Sequence, residues 1–525
     1  MIKKLSLIFA IILLIGCFSG CGSKSEQAGA SNRIDLFSYN MDRFDGATKD
    51  SVWLEMEKIT GTTINLSGVS LTSYTQKINM MVNTNEAPDI FFYLPDDSEA
   101  YAKWVQQGML LDIGSYVTDD STYPNLYRIL NSYEYKDLKY YGKQTIIPFI
   151  AVQNNWAIYI RQDWLNNLGL EQPKTLEEFE AVMHAFTYQD PDGNGKDDTY
   201  GLCGSKDAFW FMPFYAAFVP KDSWAYTEDG TAMEFQYCAD GYKDYLSYMS
   251  SLYEKGYIVK DYYTKPDDMK IENFASGTAG ILIHNAGDHI ENIMSKVNQA
   301  SPTAIIDVIA PPEGPAGANM VGWGGWWGGY SISAGCKNPE AALRVLDFLI
   351  SPEGQKMRFY GIKDVHYTEN ADGTIEITEE NLKNRLAEPT NSFLNIRLNE
   401  STDTLPYGAY AWGTLIGSQY DVIDGKIVAK TDYTYFKYKD LANKAQEICQ
   451  QYATIPDFYN IGVSDANYIK SISKINDYAN IYTTNIIIGE KSVDEGWEEF
   501  MREVEKAGYA DAAIIAYNAV KEAGK

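Results

Sequence analysis

A chain of 525 residues, 45% hydrophobic and 22% charged, has an ordinary globular composition and room for two or more domains. Its formal charge of −27 excludes nucleic acid and anionic head groups as partners of the protein surface. It also weighs against a polyuronate ligand, unless one local basic pocket overrides the average.

Residues 1–20 stand outside the fold. Lys3 and Lys4 make a positive start, and Leu5–Ile15 is an apolar run too short to cross a bilayer. Small residues then lead to Cys17 and to Cys21, and both settings resemble the lipobox of bacterial lipoproteins, whose thiol carries a diacylglycerol. Cys21 is favoured over Cys17, because the polar stretch that follows it reads as a flexible tether over residues 21–33. Loss of Lys3 and Lys4 moves the charge from −27 to −29. The remaining cysteines, Cys203, Cys238, Cys336 and Cys449, lie far apart without CxxC spacing, as small buried hydrophobes do.

From Ile34 strands and helices alternate. Ile34–Tyr39 is a strand, Ser51–Ile59 a helix with Val52, Met56 and Ile59 inward, and Thr63–Gly68 a strand. Ser73–Asn83 is a helix, Ala87–Tyr93 a strand and Ala100–Gly108 a helix stopped by glycine. Trp156–Arg161 and Asp163–Leu168 repeat the pair, and Thr175 with Glu178 forms a capping box for a helix whose apolar face runs from Leu176 to Phe186. Ile305–Ala310 and Tyr330–Ser333 are strands; Asn338-Pro339 and Ser351-Pro352 each start a helix. Such alternation predicts an α/β fold with doubly wound, largely parallel sheets.

The capped helix runs into Asp190-Pro-Asp-Gly-Asn-Gly-Lys-Asp-Asp-Thr-Tyr-Gly201. Side-chain oxygens on alternate residues, a glycine at loop position six and more acids beyond suit a hard cation such as calcium. A full loop of this type ends in Glu at position twelve, where this chain has Gly201. No second amphipathic helix follows, so the expected metal is structural: it pins a helix to the next segment.

The stretch 160–202, IRQDWLNNLGLEQPKTLEEFEAVMHAFTYQDPDGNGKDDTYGL, resembles the middle signature of the family 1 extracellular solute-binding lipoproteins, the LplA-like binding proteins of bacterial ABC importers. YTQKINMMVNTNEAPDIFF (74–92), SISAGCKNPEAALRVLDFLISPEGQKMRFYGIKDVHY (331–367) and the last helices (486–522) resemble the same family. The resemblance implies a type II periplasmic-binding-protein-like fold: two α/β lobes joined by crossover hinge segments, closing on a sugar. Residues 34–150 and 302–360 are assigned to the first lobe, 151–301 and 361–525 to the second. Crossovers are placed near Phe149–Asn155, Ser301 and Gly361. In the alginate-oligosaccharide-binding relatives a loop of this kind holds calcium outside the cleft. Carried over by position, the ligands are Asp190, Asp192, Asn194, the Lys196 carbonyl and Asp198. Thr199 stands where those relatives have Glu, so the sixth contact is left open. The implied partners are an oligosaccharide, expected to be neutral, and the permease and ATPase subunits. The chain is expected to be a monomer on the extracellular face of the cytoplasmic membrane, held by its lipid alone.

Sugar sites pair aromatic platforms with polar partners, and this chain has 40 Tyr, 21 Phe and 11 Trp to supply them. Gly322–Tyr330 holds Trp323, Trp326 and Trp327 among five glycines, which reads as an exposed loop rather than a strand interior. Trp210, Tyr410 and Trp412 are further candidates, with Asn85, Asp89 and Asn154 as polar ones placed by the rule that ligands sit at the carboxyl ends of strands. For any one aromatic, core packing is the competing role. Arg161 is read as pinning backbone. Two rivals remain: a secreted carbohydrate-active enzyme, and a carbohydrate-binding surface protein without transport. No Gly-x-Ser-x-Gly elbow, His-Glu-x-x-His or phosphate loop supports the first; surface modules of the second kind are usually all-β. No catalytic residue is assigned.

Overall fold

The computed structural model describes residues 32–39, 41, 46–94, 98–150, 156–206, 208–286, 289–321, 326–371, 375–387, 419–423, 426–430, 438–454 and 461–524. Cys17, Cys21, Asn154, Trp323, Tyr410 and Trp412 lie outside them.

Two sheets organise the chain. The first has the order Thr63–Val69, Arg33–Tyr39, Ile90–Tyr93, Trp326–Ile332, Ile147–Ile150. The second has the order Ile306–Ile309, Trp156–Arg161, Ala279–Asn285, Tyr200–Leu202. Each anchors its own core, one around Ile34, Phe91 and Leu346, the other around Ile158, Phe186 and Ile281.

The sheets are more mixed than the alternation predicts. The first three strands of the first sheet are parallel, but Trp326–Ile332 runs antiparallel to both its neighbours. Trp156–Arg161 likewise runs antiparallel to the strands on either side. Both are strands that arrive from the other lobe. They enter the sheet at the edge where its own strands leave, so they must run the opposite way.

Local signals hold well. Asp50 caps its helix by accepting from the Trp53 amide, and Gly61 ends it at φ 61. Trp53 joins Val52 and Met56 in the buried face, whereas Ile59 turns out to be exposed. The Thr175–Glu178 capping box forms, and Asn338 and Ser351 accept the expected N-cap bonds with proline following each.

Two domain boundaries need correction. Ile306–Ile309 pairs with Trp156–Arg161, and Asp307 binds Lys444 at 2.7 Å, so the second lobe extends through 309 and does not stop at 301. Residues 362–371 and 375–387 stay with the first lobe: Glu369 reaches Lys356 at 2.6 Å and Tyr367 packs 5.7 Å from Tyr360. The helix Pro352–Tyr360 that carries those partners is itself tied to the first-lobe core by Met357 and by Arg358 Nε donating to the Leu349 carbonyl.

A third cluster joins the lobes. The helix Ala466–Ile487 places Tyr468, Ile469 and Ile475 with Ala102 and Tyr141 of the first lobe, while Ile486 and Ile487 enter the second-lobe core. Just before it, the Gly462 amide donates to the Asp137 carbonyl and Ser464 Oγ accepts from the Tyr141 amide.

Candidate functional site

Among the described residues the chain leaves one sheet and enters the other at 150 to 156 and at 321 to 326; just before the second of these passages Met320–Val321 pairs in parallel with Ala453–Thr454. The edges that these passages connect are the carboxyl ends of each sheet's own strands, where open α/β sheets place ligands. On the first lobe that edge carries Tyr39, Val69, Tyr93, Ile150 and Trp326. On the second it carries Trp156, Asn285 and the segment after Leu202 that leads to Trp210.

Trp326 and Trp327 begin a strand rather than lying in a loop, and Trp326 pairs with Ile150 at the edge. The glycines are there because neighbouring backbones crowd this strand. Gly328 sits at φ 106 with a would-be Cβ only 2.3 Å from the Tyr93 carbonyl, and one on Gly329 would lie 2.4 Å from that of Ile147. The register shifts between Trp326 and Gly329, which marks a bulge in the strand at the candidate cleft.

Trp210 is no open platform. It lies in the helical turn Ala208–Phe211, edge-on to Trp156 at 5.4 Å and stacked with His284 at 4.9 Å, with the Lys270 ammonium over its ring. His284 is the last residue but one of the strand Ala279–Asn285, and His289 stands 5.0 Å from it. Nothing in the spacing of Trp156, Trp210, Lys270 and His284 along the chain signals that they meet.

Burial first, then His289 and Lys270, push the His284 pKa well below the ordinary imidazole value. Above about pH 6.5 the ring is neutral in folded and unfolded chains alike; below it the unfolded chain takes a proton that the folded one refuses. Stability from this group is therefore lost as pH falls. His284→Gln is expected to flatten the drop in melting temperature between about pH 7 and pH 5 relative to the wild type, measured by calorimetry.

Asn85 and Asp89 stand away from these edges. They precede Ile90–Tyr93 and so lie at its amino end, the edge opposite to the passages. Asp89 Oδ2 accepts from the Asp35 amide at 2.9 Å, and Asn85, at φ 58, finishes the turn after the helix Leu71–Asn83. The carboxyl-end rule is sound, but both residues stand before their strand. Arg161 does pin structure: it is buried, pairs with Asp163 at 2.6 Å and lies over Trp164.

The acidic loop is drawn into a knot. Asp190 accepts from the amides of Asn194 and Gly195, both at 2.9 Å. The Asn194 side-chain amide sits between Asp192 Oδ2 at 2.9 Å and Asp198 Oδ1 at 3.1 Å, a partial positive charge where two carboxylates converge. The donors are hard oxygens, which fits a hard cation. Among the described residues no three His, Cys, Asp or Glu side chains gather closely enough to hold a metal by themselves. Thr199 is buried and donates to the Phe186 carbonyl at 2.6 Å, so it ties the loop to the preceding helix. At Gly201 a Cβ would fall 2.7 Å from the Met183 Cα, which explains why no Glu occupies position twelve.

The model of the bacterial extracellular solute-binding protein family matches residues 40–356. The polygalacturonan/rhamnogalacturonan-binding protein YtcQ of Bacillus subtilis is 30% identical, over 72% of this chain and 77% of its own. The fructooligosaccharide ABC transporter substrate-binding protein FusA of Streptococcus pneumoniae is 23% identical, over 88% of this chain and 84% of its own. A structure of an EF-hand mutant of FusA with fructo-nystose superposes with a TM-score of 0.68 at 19% identity, covering 93% of this chain and 99% of that one.

Proposed function

The chain belongs to the family of bacterial extracellular solute-binding proteins, and from that membership we propose that it captures an oligosaccharide between its two lobes for an ABC importer. The observation that carries this reading is the pair of sheet edges, each at the carboxyl ends of its own strands, that the chain links at 150 to 156 and at 321 to 326. Ligand settles on the first-lobe edge at Trp326 and Trp327, the second lobe rotates over it, and the closed form is delivered to the permease, whose ATPase drives import. Relatives named for acidic and for neutral saccharides both match; the formal charge of −27 favours the neutral class here. Cys21 carries the lipid that keeps the protein at the outer face of the membrane. Calorimetry with a panel of neutral oligosaccharides, alongside a reducing-end assay, tests the reading. Binding without turnover is expected. Release of reducing ends would favour an enzyme, and binding to insoluble polysaccharide alone a surface module.

Calcium, in this reading, is held by Asp190, Asp192, Asn194, the Lys196 carbonyl and Asp198. It supplies charge neutralisation that fastens the helix Leu176–Tyr188 to the strand Tyr200–Leu202. A cation at about a hundred times its Kd stabilises a fold by about 2.7 kcal/mol. Asp192→Ala is expected to abolish the calcium-dependent rise in melting temperature while leaving oligosaccharide affinity nearly intact. Loss of affinity at unchanged stability would overturn the structural role.

A further inference from the structure

A column of four side chains stands at the carboxyl edge of the second sheet. Its foot is Lys270, 1% exposed, whose ammonium lies 2.7 Å from the centre of the Trp210 ring. Trp210 stacks on His284 with their planes 30° apart, and His284 meets His289 at 41°. The lower members are held from the side. Ser205 donates to Asp267 at 2.6 Å, which ties the helix Asp267–Ala275, the carrier of Lys270, to the segment that leads to Trp210. The Asn285 amide donates to His284 Nδ1 at 2.7 Å, which sets the angle of that ring. His289 is the member at the far end. It is partly exposed and opens the helix His289–Ala300, soon after Asn285 ends an inner strand of the sheet. Asn285 stands opposite Trp156, the first strand residue after the chain arrives from the first lobe, so His289 follows directly on the edge where the passages leave.

We propose that His289 is the second lobe's contact with the hydroxyls of the captured sugar, and that Lys270, Trp210 and His284 are the column that holds its imidazole in place. The proposal rests on the oligosaccharide reading above and gives the lobe that closes a partner for the first-lobe rings. Trp210 is engaged by a ring on one side, an edge on another and a cation, and His284 is 7% exposed. The ring placed to meet a ligand is therefore His289. Stacked rings and a cation over an indole favour one arrangement of the whole set, and a side chain already held loses little freedom when it binds. The chemistry matches a sugar. An imidazole offers a donor and an acceptor when neutral and two donors when protonated, and each hydroxyl of a sugar both donates and accepts.

The test uses the full mature chain, a panel of neutral oligosaccharides, titration calorimetry and melting curves without ligand. For a panel member that wild type binds, His289→Ala should weaken binding about tenfold and leave the melting temperature nearly unchanged. His289→Gln keeps a donor and an acceptor and should recover most of that loss. Lys270→Met removes the ammonium at the foot of the column and keeps a long side chain there. It should weaken binding about fivefold in the wild-type background and by nothing further beside His289→Ala, because both changes act through one contact. Unchanged affinity in His289→Ala, or a Lys270→Met loss that is the same with and without His289, would overturn the contact while leaving capture intact. A His289→Gln variant as weak as His289→Ala would overturn the hydrogen-bonding role, and a clear drop in the melting temperature of His289→Ala would make the ring structural. The two His289 variants decide the contact even where Lys270→Met melts too early to titrate. Failure of wild type to bind any member of the panel would overturn the capture reading and the contact with it.

Discussion

Gly328→Ala is expected to destabilise the protein by about 2–4 kcal/mol and to weaken ligand capture at the same time. The backbone there has φ 106, a region closed to residues with a Cβ, and the added carbon would sit 2.3 Å from the Tyr93 carbonyl and 2.8 Å from the Phe92 ring. Neither neighbour can retreat, because Tyr93 belongs to a central strand and the buried Phe92 packs 5.1 Å from Tyr330. The strand would have to lift, and with it the bulge that sets Trp326 at the edge. Gly335→Ala is the control. Its Cβ would meet nothing nearer than Ser333 Oγ at 3.4 Å, so a change within about 0.5 kcal/mol is expected. Thermal melts of the two variants check the contrast; equal melting temperatures would show that the bulge is not under this constraint.

Removing both rings of Trp326 and Trp327 is expected to have the largest effect on affinity. A buried aromatic face contributes about 1.5–3 kcal/mol, so the pair accounts for at least a hundredfold in Kd. Their backbone stands where the first sheet meets the passages, and in this reading the rings serve the ligand. The double alanine variant should therefore keep most of its stability. Trp210→Ala should behave the other way round. That ring is already met by Trp156, His284 and Lys270, so its loss opens the second-lobe edge and lowers the melting temperature more than the affinity. Titration calorimetry and thermal melts on both variants separate the two roles. A double variant that binds as tightly as wild type would remove these residues from the site.

What the amino-acid order announces here is whatever local chemistry decides. The capping box at Thr175, the proline starts after Asn338 and Ser351, and the glycine stop at Gly169 need only their neighbours. The direction of Trp156–Arg161 and of Trp326–Ile332 is not local, since it depends on which lobe the chain has just left. The same applies to Ile306–Ile309, whose apolar residues suit either sheet and whose place is settled by pairing with Trp156–Arg161. At the site, Asn85 and Asp89 mislead because nearness to a strand does not say which end of it they occupy. Nor does chain spacing announce that Trp156, Trp210, Lys270 and His284 meet, or that the helix Ala466–Ile487 is shared by both lobes.

That helix has a consequence for how the molecule is made. The first lobe waits for residues 326–360 before its sheet is whole, and the second waits for 439–454, which packs on Trp156–Arg161 through Cys449. Ala466–Ile487 comes later still and is shared by both. Neither lobe has all of its packing partners until these late segments have been made. In the folded chain both lobes share this late segment, and heating should release them in one transition instead of two.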